Sequence, residues 1–245
     1  MIEQTIDIQT RDGACTTFIV HPDRGGPFPP VLFYMDAPAI REELRDMARR
    51  LASAGYYVVL PNLYYRSGVM ELGPIEMAPD STWRKRMFDL MSSIDIAKVM
   101  SDTDALVAHI DTQAAAKKGP IGAMGYCMSG QYAISAAARF PDRVKAAASL
   151  YGVSLVTEKP DSPHLAARKA TAEIYVACAE TDSYAPPEMV DALTKDFTAH
   201  KVKGEVETYP GTHHGFAFPL RPAYDKPAAE RHWARLHALF ARNLR

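Results

Sequence analysis

The sequence is poor in cysteine, in long apolar runs and in any surplus of one charge. Among 245 residues the only cysteines are Cys15, Cys127 and Cys178. An odd number without C-x-x-C spacing argues against a disulfide framework or a cysteine-based zinc cluster. No stretch reaches the roughly 18 consecutive apolar residues that a membrane span needs. The opening run MIEQTIDIQTRDG lacks the apolar centre of a signal peptide. These absences point to a reducing cytoplasm. Lys and Arg total 28 against 29 Asp and Glu, a net charge of −1, and the longest basic run is Arg84-Lys85-Arg86. Neither nucleic acid nor a membrane is therefore an expected partner.

What is present is an ordinary globular composition, 47% hydrophobic and 23% charged. The length suits one α/β domain over residues 1–245, with no repeat or convincing boundary. "QTIDIQT" and "CTTFIV" alternate apolar and polar residues around Asp12-Gly13, which predicts an opening hairpin. "PPVLFYM" and "YYVVLP" are near-continuous apolar runs, as strands buried on both faces require. Between them Ile40, Leu44, Met47 and Leu51 share a helical face that stops at Gly55. Residues 62–90 carry Gly68, Gly73, Pro74 and Pro79 and read as a long irregular surface excursion. A helix over Ile96, Val99, Leu106 and Ile110 follows, then the strand "PIGAMGY" and a helix over 128–139. "KAAASLYG", "AEIYVACA" and "GEVETYP" are further strands, with a helix at 187–200 before the last. The C-terminal helix turns Trp233, Leu236 and Phe240 inward, and His232 and His237 are expected to face solvent. Repeated βα units imply a mostly parallel sheet with helices on both faces. Ligands then bind beyond the carboxyl ends of the strands.

Cys127 falls at such a strand end, in "GYCMSG" (125–130). A nucleophile on a tight strand-to-helix turn needs small flanking residues, as in the G-x-S-x-G elbow. Ser129 stands where the second glycine of that pattern would fall and is small enough for the role. The helix starting at Met128 points its positive end at the sulfur, which favours thiolate. A structural cysteine is the plainer reading, and Ser129 is a competing but misdirected nucleophile. A thiol needs a base, and the base an orienting acid, in the chain order nucleophile, acid, histidine. "YVACAETDSYAPP" supplies Asp182, with Glu180 as the fallback, and "ETYPGTHHGFAF" supplies His213 and His214. His214 is preferred because Gly215 leaves its ring room, while His213 supports the loop or contacts substrate. Adjacent histidines lack helical metal-pair spacing, so no metal is expected. Backbone N–H groups of Met128 and of Ala37, after the third strand, form the expected oxyanion hole. Asp36 is either a turn residue or a group acting on the resting thiol.

Together, "GYCMSG", "LPNLYYR" (60–66), the acid loop at 177–187 and "YPGTHHGF" (209–216) resemble the dienelactone hydrolase family of α/β-hydrolases over most of the chain. The resemblance implies an α/β-hydrolase fold and a Cys-His-Asp triad at Cys127, His214 and Asp182. It also implies a carboxylate that holds the resting thiol, usually glutamate and here Asp36. The dienelactone enzyme grips its substrate carboxylate with arginines, one of them four residues after the catalytic histidine. Phe218 occupies that position, and Arg84 or Arg86 could supply another contact. The expected activity is hydrolysis of a less anionic ester or lactone through a thioester intermediate, with no cofactor, by a monomer or homodimer. The alternatives are the same machinery acting on a thioester, phosphotriester or amide, or a non-catalytic binding protein on this fold.

Overall fold

Two-residue alternation produces the expected hairpin: β1 (Ile2–Thr10) and β2 (Gly13–His21) pair antiparallel from Ile2 opposite His21 to Thr10 opposite Gly13. The structure is a computed structural model and describes residues 1–245. The chain divides into two compact units, Met1–Lys118 and Gly119–Arg245.

In the first unit the strand order is β1-β2-β4-β3. β4 (Tyr57–Pro61) pairs antiparallel with β2 and parallel with β3 (Pro30–Tyr34). Every residue of β3 and β4 is buried, as their unbroken apolar runs require. Between them α1 (Glu42–Ser53) buries Leu44, Met47, Ala48 and Leu51, and Gly55 follows it at φ +93°.

Residues 62–90 are more ordered than expected. A 3₁₀ turn at Tyr65–Ser67 opens the segment, and α2 (Thr82–Ser93) closes it. The Ser81 side chain accepts the Arg84 N–H at 3.0 Å, capping α2, and Trp83, Met87 and Leu90 form its buried stripe. The glycines and prolines upstream obscure this helix in the sequence. The "LPNLYYR" motif has a structural use. Arg66 donates to both carboxylate oxygens of Asp102, at 2.8 and 2.7 Å, and the Tyr65 hydroxyl donates to Asp102 at 2.8 Å. Asp102 lies on α3 (Ile96–Thr112), so the motif fastens the turn after β4 to that helix.

The second unit is wholly parallel: β5 (Ile121–Tyr126), β6 (Val144–Leu150), β7 (Glu173–Thr181) and β8 (Gly204–His213) are neighbours in that order. Its helices are α4 (Gly130–Arg139), the short α5 (Pro163–Ala167), α6 (Pro187–Ala199) and α7 (Lys226–Leu244). Strand periodicity assigns α4 and α7 to opposite faces of this sheet. A Cβ on Gly122 would lie 2.9 Å from Phe240 and Leu244 of α7. Gly125, three residues on and so on the other face, pairs with Ser149, whose Oγ lies against Gly130 of α4. α7 buries Trp233, Leu236 and Phe240 as expected. His232 is also fully buried, against expectation, because it sits one helical turn before Leu236 on the same face. His237 is half-buried and stacks on Trp233 at 5.7 Å between ring centroids. No helix is long and apolar enough to cross a membrane.

Candidate active site

β5 ends in a 3₁₀ turn, Cys127–Ser129, from which α4 continues. Cys127 has φ +54°, a left-handed conformation that costs a non-glycine residue energy and is typically held by its surroundings. Those surroundings are specific. The Cys127 carbonyl accepts the Val153 N–H at 3.2 Å and also the N–H of Gly130. A Cβ on Gly125 would fall 2.2 Å from the Ser129 carbonyl oxygen, and one on Gly130 would fall 2.3 Å from Ser149 Oγ. Both glycines are therefore required by close approach. Ser129 is completely buried.

Cys127 is half-buried, whereas Cys15 and Cys178 are buried. Burial pushes the thiols of Cys15 and Cys178 up to about 12, the Asp182 charge adding to the effect at Cys178. Neither is a nucleophile near neutral pH.

Asp182 follows β7 and its side chain is fully buried. Oδ1 accepts the N–H groups of Tyr184 at 2.9 Å and Ala185 at 3.2 Å. Oδ2 lies 2.6 Å from His214 Nδ1. Because the carboxylate accepts, Nδ1 carries a proton and Nε2 is the nitrogen left for the sulfur. The Cys127 side chain is the second hydrogen-bond partner of His214. Burial alone would lower the His214 pKa. Hydrogen bonds to Asp182 and Cys127, and the negative charge of both, outweigh it and raise the value to about 10. His214 is thus protonated at neutral pH, with Cys127 and Asp182 as its two hydrogen-bond partners. Three strand ends of one parallel sheet bring these residues together.

The alternatives are engaged elsewhere. Glu180 accepts the Gly211 N–H at 2.8 Å, bracing the loop after β7 against β8. His213 is exposed at the end of β8, opposite Thr181. Gly215 has φ +91°, and, chain neighbours aside, a Cβ there would meet Arg221 Cγ at 4.0 Å. Its left-handed φ is itself a reason for glycine at this position.

Phe218 is buried, with its ring centroid 5.0 Å from Tyr126 and 6.2 Å from Tyr151. It is part of an aromatic core beneath the turn. The Arg221 guanidinium lies 5.8 Å from the Phe218 ring, so an arginine does accompany this position, a short turn later. Sequence reasoning missed Tyr151 and Tyr184, whose rings both stand edge-on to His214 at 5.0 Å. Each follows a parallel strand's carboxyl end, β6 and β7, which was the available signal. Tyr151 has φ +37°, a second strained residue beside the histidine.

The remaining candidates lie in the first unit. Asp36 is buried and accepts both terminal nitrogens of Arg41, at 2.6 and 3.1 Å. Arg41 also pairs with buried Glu43 at 2.9 Å. Burial would lower the Arg41 pKa, but the two carboxylates outweigh it and raise it. The Ala37 carbonyl accepts the Tyr64 hydroxyl at 2.9 Å. The Arg84 guanidinium rests 5.3 Å from the Phe88 ring, and Arg86 is exposed. No cluster of three or more His, Cys, Asp or Glu side chains could hold a metal.

The sequence profile of the dienelactone hydrolase family matches residues 15–244. A Methylorubrum extorquens protein provisionally named carboxymethylenebutenolidase is 28% identical over 98% of this chain and 81% of its own. A Bradyrhizobium protein provisionally named 2-oxo-3-(5-oxofuran-2-ylidene)propanoate lactonase is 27% identical over 93% of this chain and 89% of its own. The crystal structure of a provisionally named dienelactone hydrolase from Klebsiella pneumoniae superposes with a TM-score of 0.86 at 25% identity, covering 98% of both chains.

Proposed function

The chain belongs to the dienelactone hydrolase family of α/β-hydrolases, acting on esters or lactones, and from that premise we propose that it does so through Cys127, His214 and Asp182, within one catalytic domain over residues 1–245. The observation that carries this reading is the unbroken chain Asp182 Oδ2, His214, Cys127, with Cys127 on a left-handed turn.

The Cys127 thiolate attacks the substrate carbonyl carbon. The developing oxyanion is met by the Met128 N–H, with Ala37 as the second donor in the arrangement the family resemblance implies. Each such donor is worth about 3 kcal/mol of barrier. Protonated His214 gives its proton to the leaving alkoxide, which departs and leaves a thioester on Cys127. Neutral His214 then takes a proton from water, whose oxygen attacks the thioester and frees the acid and the thiolate. Asp182 fixes the His214 tautomer and stabilises its cation. No step uses a cofactor. A cytoplasmic setting would keep Cys127 a free thiol, as all three cysteines are here.

For substrate, the preference proposed is for neutral esters over an anionic lactone, because Phe218 itself offers a carboxylate no charge; Arg221, 5.8 Å from its ring, is the cation that would oppose that preference. His213, Arg84 and Arg86 are the proposed substrate contacts. Asp36, which accepts both terminal nitrogens of Arg41, is the carboxylate that the family resemblance assigns to holding the resting thiol.

The test is Cys127→Ala, assayed on p-nitrophenyl acetate and short-chain esters. Loss of nearly all turnover with the fold intact is expected. In the wild type, quenched mass spectrometry should find the acyl group on the peptide containing Cys127. Full activity of the alanine variant would overturn the reading and turn attention to Ser129.

A further inference from the structure

Tyr126, immediately before the nucleophile, lies four residues beyond Gly122 on β5, and so on the face covered by α7. Its hydroxyl is 2.8 Å from His232 Nε2. On the other side of the ring, His232 Nδ1 contacts the Ala229 carbonyl within α7. A carbonyl can only accept, so Nδ1 carries the proton, Nε2 accepts, and the Tyr126 hydroxyl donates. Both residues are completely buried. Two apolar residues could fill this space without having to satisfy buried polar atoms.

The location makes the pair consequential. Tyr126 is covalently joined to Cys127, the residue at φ +54°. Its ring packs on Tyr151 at 5.5 Å and Phe218 at 5.0 Å, and Tyr151 in turn touches the His214 ring at 5.0 Å. One hydrogen bond therefore pins a ring connected to the nucleophile through the backbone and to the base through Tyr151. A hydroxyl free to shift would release both ends.

We propose that His232 is a positioning residue of the active site: by holding the Tyr126 hydroxyl it sets where the Cys127 sulfur meets His214. This rests on Cys127 being the nucleophile. Catalytic distances are steep, so a shift well under 1 Å should cost about tenfold in rate.

The experiment compares Tyr126→Phe, His232→Leu, His232→Gln and the Tyr126→Phe/His232→Leu double variant. The readouts are the acylation burst with p-nitrophenyl acetate, the iodoacetamide alkylation rate of Cys127, KM and Tm. Tyr126→Phe and His232→Leu should each slow acylation and alkylation about tenfold, with KM within about twofold. The double variant should be no slower than the slower single variant, because one contact is lost either way. His232→Gln, whose amide oxygen can accept the hydroxyl, should recover most of the rate. His237→Leu, on the same helix but outside this contact, should alter Tm alone. Acylation and alkylation rates of wild-type size in both single variants, or strictly additive losses in the double, would overturn the proposal. Should His232→Leu not fold, Tyr126→Phe keeps the ring and decides the matter. Turnover by Cys127→Ala would instead defeat the underlying triad, whatever the His232 variants do.

Discussion

Two buried aspartates, one in each unit, show what a carboxylate's partner decides. Asp102 and Asp182 are 1% and 5% exposed. Asp102 receives a bidentate guanidinium from Arg66 and a hydroxyl from Tyr65. Asp182 receives two backbone N–H groups and an imidazole. Both are well provided with donors. The difference is that guanidinium never gives up its proton, whereas imidazole can. Asp102 thus makes a lock between a loop and a helix. In the proposed mechanism Asp182 makes a relay, because its partner has a second nitrogen directed at a thiol and can exchange a proton there.

Exchanging each carboxylate for an amide should separate lock from relay. Asp182→Asn should lower kcat by about 10⁴-fold through loss of the correct tautomer, as in other triads, with a near-native denaturation midpoint. Asp102→Asn should do the reverse. Breaking a buried ion pair costs about 3 kcal/mol, so its urea midpoint should fall while kcat/KM changes little. A stability loss in Asp182→Asn with activity retained would abolish the distinction.

The relay should also be visible in pH, and the lock should not. The His214 value of about 10 lies above that of a free imidazole. A raised value means that the folded state binds this proton more tightly than the unfolded chain. The stabilisation is therefore complete below about pH 6.5, declines as pH rises above that, and is gone above about 10. Tm should fall between pH 7 and 10 in the wild type by more than in His214→Asn. Acylation, which needs the proton for the leaving group, should decline through the same upper limit. Asp182→Asn should move that decline to lower pH. An acylation limb unaffected by Asp182→Asn would mean that another group donates the proton.

The sequence displays the relay better than the lock. Strand ends, small residues and chain order point to Cys127, Asp182 and His214, three residues that the fold does bring together. Arg66 and Asp102 are 36 residues apart with no local pattern to join them. α2 was hidden because its cap, Ser81, follows a stretch dominated by breakers. His232 was misjudged on residue type, although its spacing from Leu236 and Phe240 places it on the buried stripe. Tyr151 and Tyr184 were passed over because their role is spatial, against a ring contributed by another loop.

The smallest expected effects concern the glycine that follows each cation. Gly68 comes two residues after Arg66 at φ +65°, and Gly215 one residue after His214 at φ +91°. Chain neighbours aside, nothing lies within 4 Å of a Cβ on Gly68, and Gly215 would meet one side-chain carbon at 4.0 Å. If conformation is the constraint, alanine at either site should cost about 1 kcal/mol in urea unfolding, and asparagine, though larger, should cost less. The two sites should then part in activity. An arginine reaching Asp102 on a long flexible stem absorbs a small backbone shift, so Gly68→Ala should leave kcat unchanged. An imidazole has no such slack between carboxylate and sulfur, so Gly215→Ala should lower kcat severalfold, with Gly215→Asn in between. Should Gly215→Asn unfold more readily than Gly215→Ala, space would be the constraint after all. Should both leave kcat untouched, the His214 loop would tolerate the same slack as the Arg66 turn.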